Sequence, residues 1–425
     1  MHILIATPYL PWPLASGGNA AQFSTLQCLS EDHSFTLVCP VYSRQQLDDA
    51  RELEQCLSHV RVRAVPCFTS LTTSQKLYGL VRKLFQNIKK LARSKVENSN
   101  LTQVLQLPFY PFSPLPASFI TALSEELEAG VDLVQVEFVE MLSLGVWLPR
   151  EIPKLFIHHQ IHSVYTKRHL ATYGVNPYSS YLATRMLTEE VSFLSAFDSI
   201  VVFSETDAEE LSSLANKEIV HISPFPVPVD IGIAETVTPV SGASFVFVGS
   251  EEHDPNRDAL NWLFADIWPL IRAALPEASL AVIGAWSSGW RIAHEIEGVD
   301  YPGFVKDLSL AMRGKIQLVS VRIGSGIRTK ILAAMAQGVP VVSTTVGVEG
   351  INVRDSKHLL IRDNAEDFAN AAISLVKDSG LSSHLANEAL RFIQTHYNAE
   401  SVRKARNEIY NAVVRRALKS LPMMK

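Results

Sequence analysis

The stretch RIGSGIRTKILAAMAQGVPVVSTTVGVEG, residues 322–350, decides how this chain is read. Ile316, Leu318, Val319 and Val321 precede it with the aliphatic, β-branched character of a strand. Gly324, Ser325 and Gly326 then make a tight turn, and the spacing predicts a helix opening near Ile327. The first N–H groups of such a helix have no intrahelical acceptor, the helix dipole favours negative charge there, and glycine lets an anion approach the backbone closely. Arg322, Arg328 and Lys330 add positive charge to the same mouth. The helix is paved with Ala333, Ala334 and Ala336, which suits close packing on a sheet, and it stops at Gly338. Residues 339–344 are a continuous apolar run, as in a buried parallel strand, and a loop carrying Gly347, Glu349 and Gly350 leaves its carboxyl end. Two successive strand-to-helix turns therefore open on one sheet edge, where open α/β folds bind ligands. A Gly-x-Gly before a helix also serves plain chain reversal, and residues two apart do not share a face of a regular helix. The combination of three cations, two glycines and a second glycine loop is what points to a phosphate-bearing ligand.

These residues resemble the nucleotide-sugar half of the GT-B glycosyltransferases, in the retaining group called family 4 or group 1, and in the branch with a G-x-G-x-R-x-K-x-L turn. The likeness extends to FVGSEEHDPNRDALNWLFADIWPLIRAALPEASLAVIG (residues 247–284), GFVKDL (303–308) and HLLIRDNAEDFANAAISLVKD (358–378). It is strong in the C-terminal half and looser in the N-terminal half. The resemblance implies an α/β fold of two Rossmann-like, doubly wound parallel-sheet domains facing a central cleft. It implies a nucleotide-diphosphate sugar as donor and a saccharide or lipid-linked acceptor, with no cofactor; no metal is required if Arg328, Lys330 and the helix start supply the positive charge, in keeping with the lack of an obvious Asp-x-Asp motif. The donor site it implies comprises Gly17, Gly18, Gly249, Asn256, Gly303, Phe304, Val305, Gly324, Ser325, Gly326, Ile327, Arg328, Lys330 and Glu349, and His159, Arg328 and Lys330 are its candidates for acting on the reaction.

The chain departs from that pattern in three places. Much of the family has two glutamates where Ser325 and Ala333 stand, and the second is expected to hold the nucleotide ribose. An arginine common after the N-terminal glycine pair is absent from residues 19–22. Near Gly249, where relatives carry an Arg and a Lys, this chain has Asn256 and Arg257, so the cation load falls on Arg328 and Lys330. A non-catalytic nucleotide-sugar-binding subunit is accordingly the second reading. An epimerase or phosphorylase of the same architecture has no matching motif.

A chain of 425 residues exceeds one ordinary core. The pattern suggests an acceptor domain over 1–228, a nucleotide-sugar domain over 229–398, and a final basic amphipathic helix over 399–425 that, by resemblance, crosses back to the first domain. The proline-broken SPFPVPVDI and residues 234–244 read as the hinge. A net charge of −5 gives no reason to expect nucleic acid. Cys28, Cys39, Cys56 and Cys67 form no C-x-x-C pair and read as core thiols of a reduced, cytoplasmic protein. No apolar run reaches membrane-spanning length, and the N-terminus lacks a signal-peptide pattern.

In the N-terminal half, residues 2–6 start a sheet, and Ser16, Gly17 and Gly18 lead into a helix, which by resemblance faces the donor phosphates. QKLYGLVRKLFQNIKKLARSK, within a basic helical insertion near 75–105, alternates an apolar stripe with seven cations and no acid. Such a helix suits a peripheral contact with an anionic inner membrane face or a lipid-linked acceptor, and equally an ordinary surface helix. Residues 132–137 and 154–157 continue the parallel sheet, and the latter run into His158, His159 and His162. Histidines at the carboxyl end of a parallel strand stand where a cleft would be, and their spacing is not that of a metal site. The resemblance favours His159 as the residue contacting the sugar or polarising the acceptor, with His162 second.

Overall fold

The computed structural model describes residues 1–14, 17–68, 110–324 and 326–420. Ser325 and the basic insertion near 75–105 lie outside the described residues. Thirteen strands are present among the described residues: β1 (His2–Ala6), β2 (Ser34–Val41), β3 (Val60–Pro66), β4 (Leu133–Glu137), β5 (Lys154–Ile157), β6 (Ser199–Val202), β7 (Val220–Ile222), β8 (Ser244–Val248), β9 (Ser279–Ile283), β10 (Val299–Gly303), β11 (Ile316–Val319), β12 (Val341–Ser343) and β13 (Leu360–Ile361). They form two wholly parallel sheets, ordered β3-β2-β1-β4-β5-β6-β7 and β10-β9-β8-β11-β12-β13.

Their sequences explain the parallel arrangement. Ile3, Leu4 and Ile5, or Phe245, Val246 and Phe247, are apolar without alternation and fully buried, because helices cover both faces of each sheet. In each sheet the chain winds outward to one side and then restarts at the centre. The strand order therefore reverses between β1 and β4 in the first sheet and between β8 and β11 in the second. These switch points leave a crevice beyond the strand ends, because the connections on either side depart in opposite directions. Ile3 pairs with both Phe35 and Leu133, and Phe245 with Ile316, which fixes the register at each switch point.

Helix starts follow local chemistry. Ser204 caps Glu205–Ser212 by accepting from the Asp207 N–H at 3.0 Å, and Asn176 and Ser179 form a reciprocal box at the start of Pro177–Leu194. Each such cap contributes about 1 kcal/mol. The last helix, Ala399–Ser420, packs on the first sheet's side of the molecule: Arg406 Nε donates to Ser223 Oγ at 3.2 Å, and Arg403 pairs with Glu31. The linker between the two sheets is tied down along its length. Val229 N–H donates to Ser24 Oγ at 3.0 Å, Val227 N–H to Tyr397 O at 3.0 Å, and Ala234 N–H to Ala336 O at 2.8 Å. Cys28, Cys39 and Cys67 are buried, whereas Cys56, expected in the core, is exposed at the end of the helix Arg44–Cys56.

Candidate functional site

The decisive turn differs from expectation in one respect. The helix starts at Thr329 rather than near Ile327 and runs Thr329–Ala336, with Arg328 in extended conformation (φ −87°, ψ 94°) as its N-cap residue. Arg328 thus stands outside the helix, and its side chain is not bound by helical spacing from that of Lys330. Gly324 and Gly326 have φ of +130° and +78°, which L side chains resist, so the turn needs glycine at both places.

Lys330 points into the switch point of the second sheet. Its Nζ donates to Asn256 Oδ1 at 2.7 Å and lies 4.9 Å from the centroid of the Phe247 ring on β8. Asn256, buried in the helix Asp254–Trp262, is fixed in turn by donating to Ser250 O at 3.0 Å. A Cβ on Gly249 would lie 2.6 Å from the Asn256 side chain, so this glycine makes room for the lysine's partner. Burial, and then the nearby Arg328 charge, push the Lys330 ammonium down to about 7. Burial likewise lowers Arg328 to about 10, although the Glu349 carboxylate opposes it. His253, just before the Asn256 helix, is exposed at its outer side, and the surrounding chain and then the charges of Lys330, Arg328 and Arg257 push its imidazole below the ordinary value. The site therefore gathers two partly buried cations at one turn.

Elements of the first half close on this turn. A Cβ on Gly17, the first residue of the helix Gly17–Leu29, would fall 2.2 Å from Thr329 Oγ1, so the first residues of two helices come into contact. A Cβ on Gly326 would lie 3.0 Å from the His159 carbonyl. Arg168, on His162–Tyr173, donates to both carboxylate oxygens of Glu349 at 2.5 and 2.6 Å and to Gly324 O at 2.8 Å. A Cβ on Gly350 would lie 3.1 Å from Ser204 Oγ. Thr344 ties the loops after β11 and β12 together by donating to Val321 O and accepting from the Gly347 N–H at 2.9 Å.

His159 sits at the end of β5 with its ring stacked on Phe138, 3.8 Å between centroids and 6° from parallel. Its Nε2 lies 2.8 Å from Glu137 Oε2. Burial raises the Glu137 carboxyl, but hydrogen bonding and charge from His159, with help from Gln135 and Arg406, outweigh this and hold it below the ordinary value. An ionised carboxylate only accepts, so Nε2 carries the proton and Nδ1 is left as the ring's second proton site. His158 and the backbone of His162 meet Glu190. His158 is buried, and its Nε2 lies 3.1 Å from Glu190 Oε1. His162 is buried at the helix start, where its backbone N–H donates to the same carboxylate at 2.9 Å.

The structure brings together Gly17, Gly249, Asn256, Gly324, Gly326, Arg328, Lys330, Glu349 and the His159 backbone. Gly18 follows in the first turn of its helix, and Ile327 packs against the core. Glu349 is engaged by Arg168, so its carboxylate meets a cation before any sugar hydroxyl. Gly303, Phe304 and Val305 lie at the end of the edge strand β10, roughly 14 Å away across three strand spacings. There Phe304 is 73% exposed. Arg322, expected in the same mouth, turns away to pair with Asp258 at 2.8 Å and to lie over the Trp262 ring. Arg257 is likewise held, by Asp254 and by Glu251 O at 2.6 Å.

Sequence reasoning missed Arg168, His253 and Glu137. Glu137 carried a usable signal, an acid closing the apolar strand DLVQVE, whereas Arg168 acquires its place only through packing of the two halves. Among the described residues, no group of three or more His, Cys, Asp or Glu could hold a metal ion, and no helix is long and apolar enough to cross a membrane.

Residues 242–378 match the family model described as Glycosyl transferases group 1. Over 419 residues the chain is 21% identical to an uncharacterized 44.6 kDa protein in the cps region of Klebsiella pneumoniae, covering 94% of this chain and 97% of that one. A sucrose-phosphate synthase from Thermosynechococcus elongatus superposes with a TM-score of 0.70 at 14% identity, covering 98% of this chain and all of that one. The HepE protein of Anabaena, solved in complex with UDP, superposes with a TM-score of 0.61 at 13% identity, covering 97% and 100%. The architecture is that of GT-B glycosyltransferases: two Rossmann-like parallel-sheet domains.

Proposed function

We propose that this protein transfers a hexose-type sugar from a nucleotide diphosphate to a saccharide or lipid-linked acceptor, with retention at the anomeric carbon and without a metal ion. The carrying observation is the partly buried Lys330, held by Asn256 beside Arg328, at a helix start that meets the N-terminus of Gly17–Leu29. Negative charge grows on the diphosphate as the bond from the anomeric carbon to its oxygen breaks. Fixed cations and helix N–H groups in a poorly solvated site stabilise that charge without reorganising, which lowers the barrier. On this reading the donor spans the sheet edge, with diphosphate at the Gly324–Arg328 turn and the nucleoside toward Gly303–Val305. His159, oriented by Glu137, meets the sugar or acceptor from the opposite half.

The division into an acceptor domain over 1–228, a donor domain over 229–398 and a returning helix is part of the same proposal. The match to the group 1 family model over the second half, and the complex of HepE with UDP, support it. So does the contact of both halves at one turn. The competing reading, a binding subunit without turnover, is favoured by one feature: Ala333, buried on the helix face, offers no carboxylate to a ribose.

The test is a panel of nucleoside diphosphates and labelled nucleotide sugars. Ligands that bind the native state raise its melting temperature. Release of nucleoside diphosphate on adding oligosaccharide or lipid extract, undiminished by EDTA, is the expected outcome. Donor binding with neither transfer nor slow hydrolysis would leave the binding-subunit reading standing, and no nucleotide-induced shift would remove both. The anomer of the product, read by NMR, decides retention.

A further inference from the structure

A line of buried hydrogen bonds runs from the last helix of the chain to the cleft histidine. Tyr410, fully buried on Ala399–Ser420, donates its hydroxyl to Gln135 Oε1 at 2.6 Å. Gln135 Nε2 donates to Glu137 Oε1 at 2.6 Å, and the other Glu137 oxygen accepts from His159 Nε2 at 2.8 Å. Gln135 and Glu137 alternate along β4, so their side chains emerge on the same face of the sheet, the face that the last helix covers. Arg406, one helical turn before Tyr410, is also buried. It lines a single cavity of about 10 Å³ together with Glu137 and His159. The returning helix thus contributes a hydroxyl to the relay and a cation beside its carboxylate.

Each partner in this line has one sensible orientation. Glu137, as a carboxylate, can only accept, which turns the Gln135 amide so that its NH₂ faces Glu137 and its oxygen faces Tyr410. The tyrosine hydroxyl supplies the donor that this oxygen needs in a place water does not reach. The carboxylate is thereby held in one position, and with it the tautomer and plane of His159, which Phe138 and Phe203 fix from the sides. A carboxylate left to rotate would let the imidazole tilt, and misplacement of a reacting group by about 1 Å can cost on the order of 100-fold in rate.

We propose that Tyr410 and Gln135 are positioning residues that hold His159 in its working tautomer and orientation, so that the carboxyl-terminal helix is part of the reaction centre as well as a brace between the halves. The role of His159 in transfer rests on the function proposed above, whereas the relay itself can be read without turnover. In ¹⁵N-histidine-labelled protein, with the His159 signals assigned by their loss in His159→Gln, the ring should show the Nε2-protonated tautomer when neutral. Tyr410→Phe keeps the buried ring, and it should shift the His159 ring nitrogens and speed exchange of the Nε2 proton while other histidine signals stay in place.

In steady state, Tyr410→Phe and Gln135→Leu should each lower kcat by about 5–20-fold with donor KM within twofold of the parent. The double variant should be no worse than the worse single one, because both break the same line. Unchanged His159 resonances in Tyr410→Phe overturn the relay whatever the substrates. Resonances that move while kcat stays at the parent value overturn the positioning role, and a KM that rises in step with a fall in melting temperature assigns the helix a structural duty alone. Failure of the parent protein to bind any nucleoside diphosphate would instead refute the donor reading, with the NMR result standing by itself.

Discussion

Replacing Lys330 with methionine separates what it costs to bury this charge from what the charge achieves. The stem keeps its volume, and Asn256 keeps its bond to Ser250 O. The ammonium, ordinarily near 10.5, is held at about 7, first by burial and then by Arg328. At about 1.4 kcal/mol per tenfold, that gap puts the folded protein at a disadvantage on the order of 4–5 kcal/mol, an upper bound, when the lysine is charged in both states. The sign follows from proton counts. Between pH 7 and 10.5 the unfolded chain holds more protons than the native one, so this group makes stability rise with pH. Below pH 7 both states are protonated and the full cost is felt. Lys330→Met should therefore melt higher than the parent at pH 6.5, and the gap should narrow by pH 9. A gain of even 1 kcal/mol corresponds to about 2–4 °C for a unit of 150–250 residues. The same variant should bind nucleoside diphosphate about 10–150-fold more weakly, the equivalent of about 1.5–3 kcal/mol for hydrogen bonds to a charged group. Calorimetry at pH 8 in buffers of different ionisation enthalpy adds a further check. A diphosphate that draws the proton back onto Lys330 should give the parent a proton uptake that the variant lacks. An unchanged affinity with unchanged proton uptake would refute the idea that Lys330 faces the ligand's charge, and a lower melting temperature at pH 6.5 would refute the burial argument.

Four other outcomes follow from the geometry. Gly326→Ala places a methyl 3.0 Å from the His159 carbonyl at a φ of +78°, so it should cost about 1–2 kcal/mol and at least tenfold in transfer rate, read by melting and by turnover. Gly232→Ala, at φ +67° with open space around it, should show the backbone cost alone. Burial raises Glu190, but the hydrogen bond and charge of His158, with Ser163 and the His162 N–H, outweigh it and hold it at about 2, so it lends stability above pH 4.5 that is lost as pH falls toward 2. Glu190→Gln should forfeit up to about 3 kcal/mol at pH 7 and flatten the acid-unfolding curve, measured by circular dichroism. Arg168→Leu removes the two-pronged ion pair to Glu349 and unlatches the halves, so small-angle scattering should report a larger radius of gyration and donor KM should rise.

Much of this was legible in the sequence, for physical reasons that can be named residue by residue. Uninterrupted apolar runs such as those of β1 and β8 can only be strands covered on both faces, which leads to a parallel α/β sheet. Glycines 324 and 326 before an alanine-rich segment required a strand-to-helix turn, because short-range sterics act within a few residues. The same local logic located the Gly17 helix start. It failed where a side chain chooses between partners far away in the chain. Arg322 and Arg328 look alike in sequence, yet Asp258 and Trp262 draw the first away while the second, partly buried, donates to Gly326 O within the turn. Arg168 gains its meaning only from Glu349, 181 positions on, and Tyr410 only from Gln135, 275 positions back. Propensity and periodicity fix which segments are strands and helices and where glycine must stand. Which charges share a site is decided by desolvation and Coulomb attraction between groups that meet only when the two sheets are brought face to face.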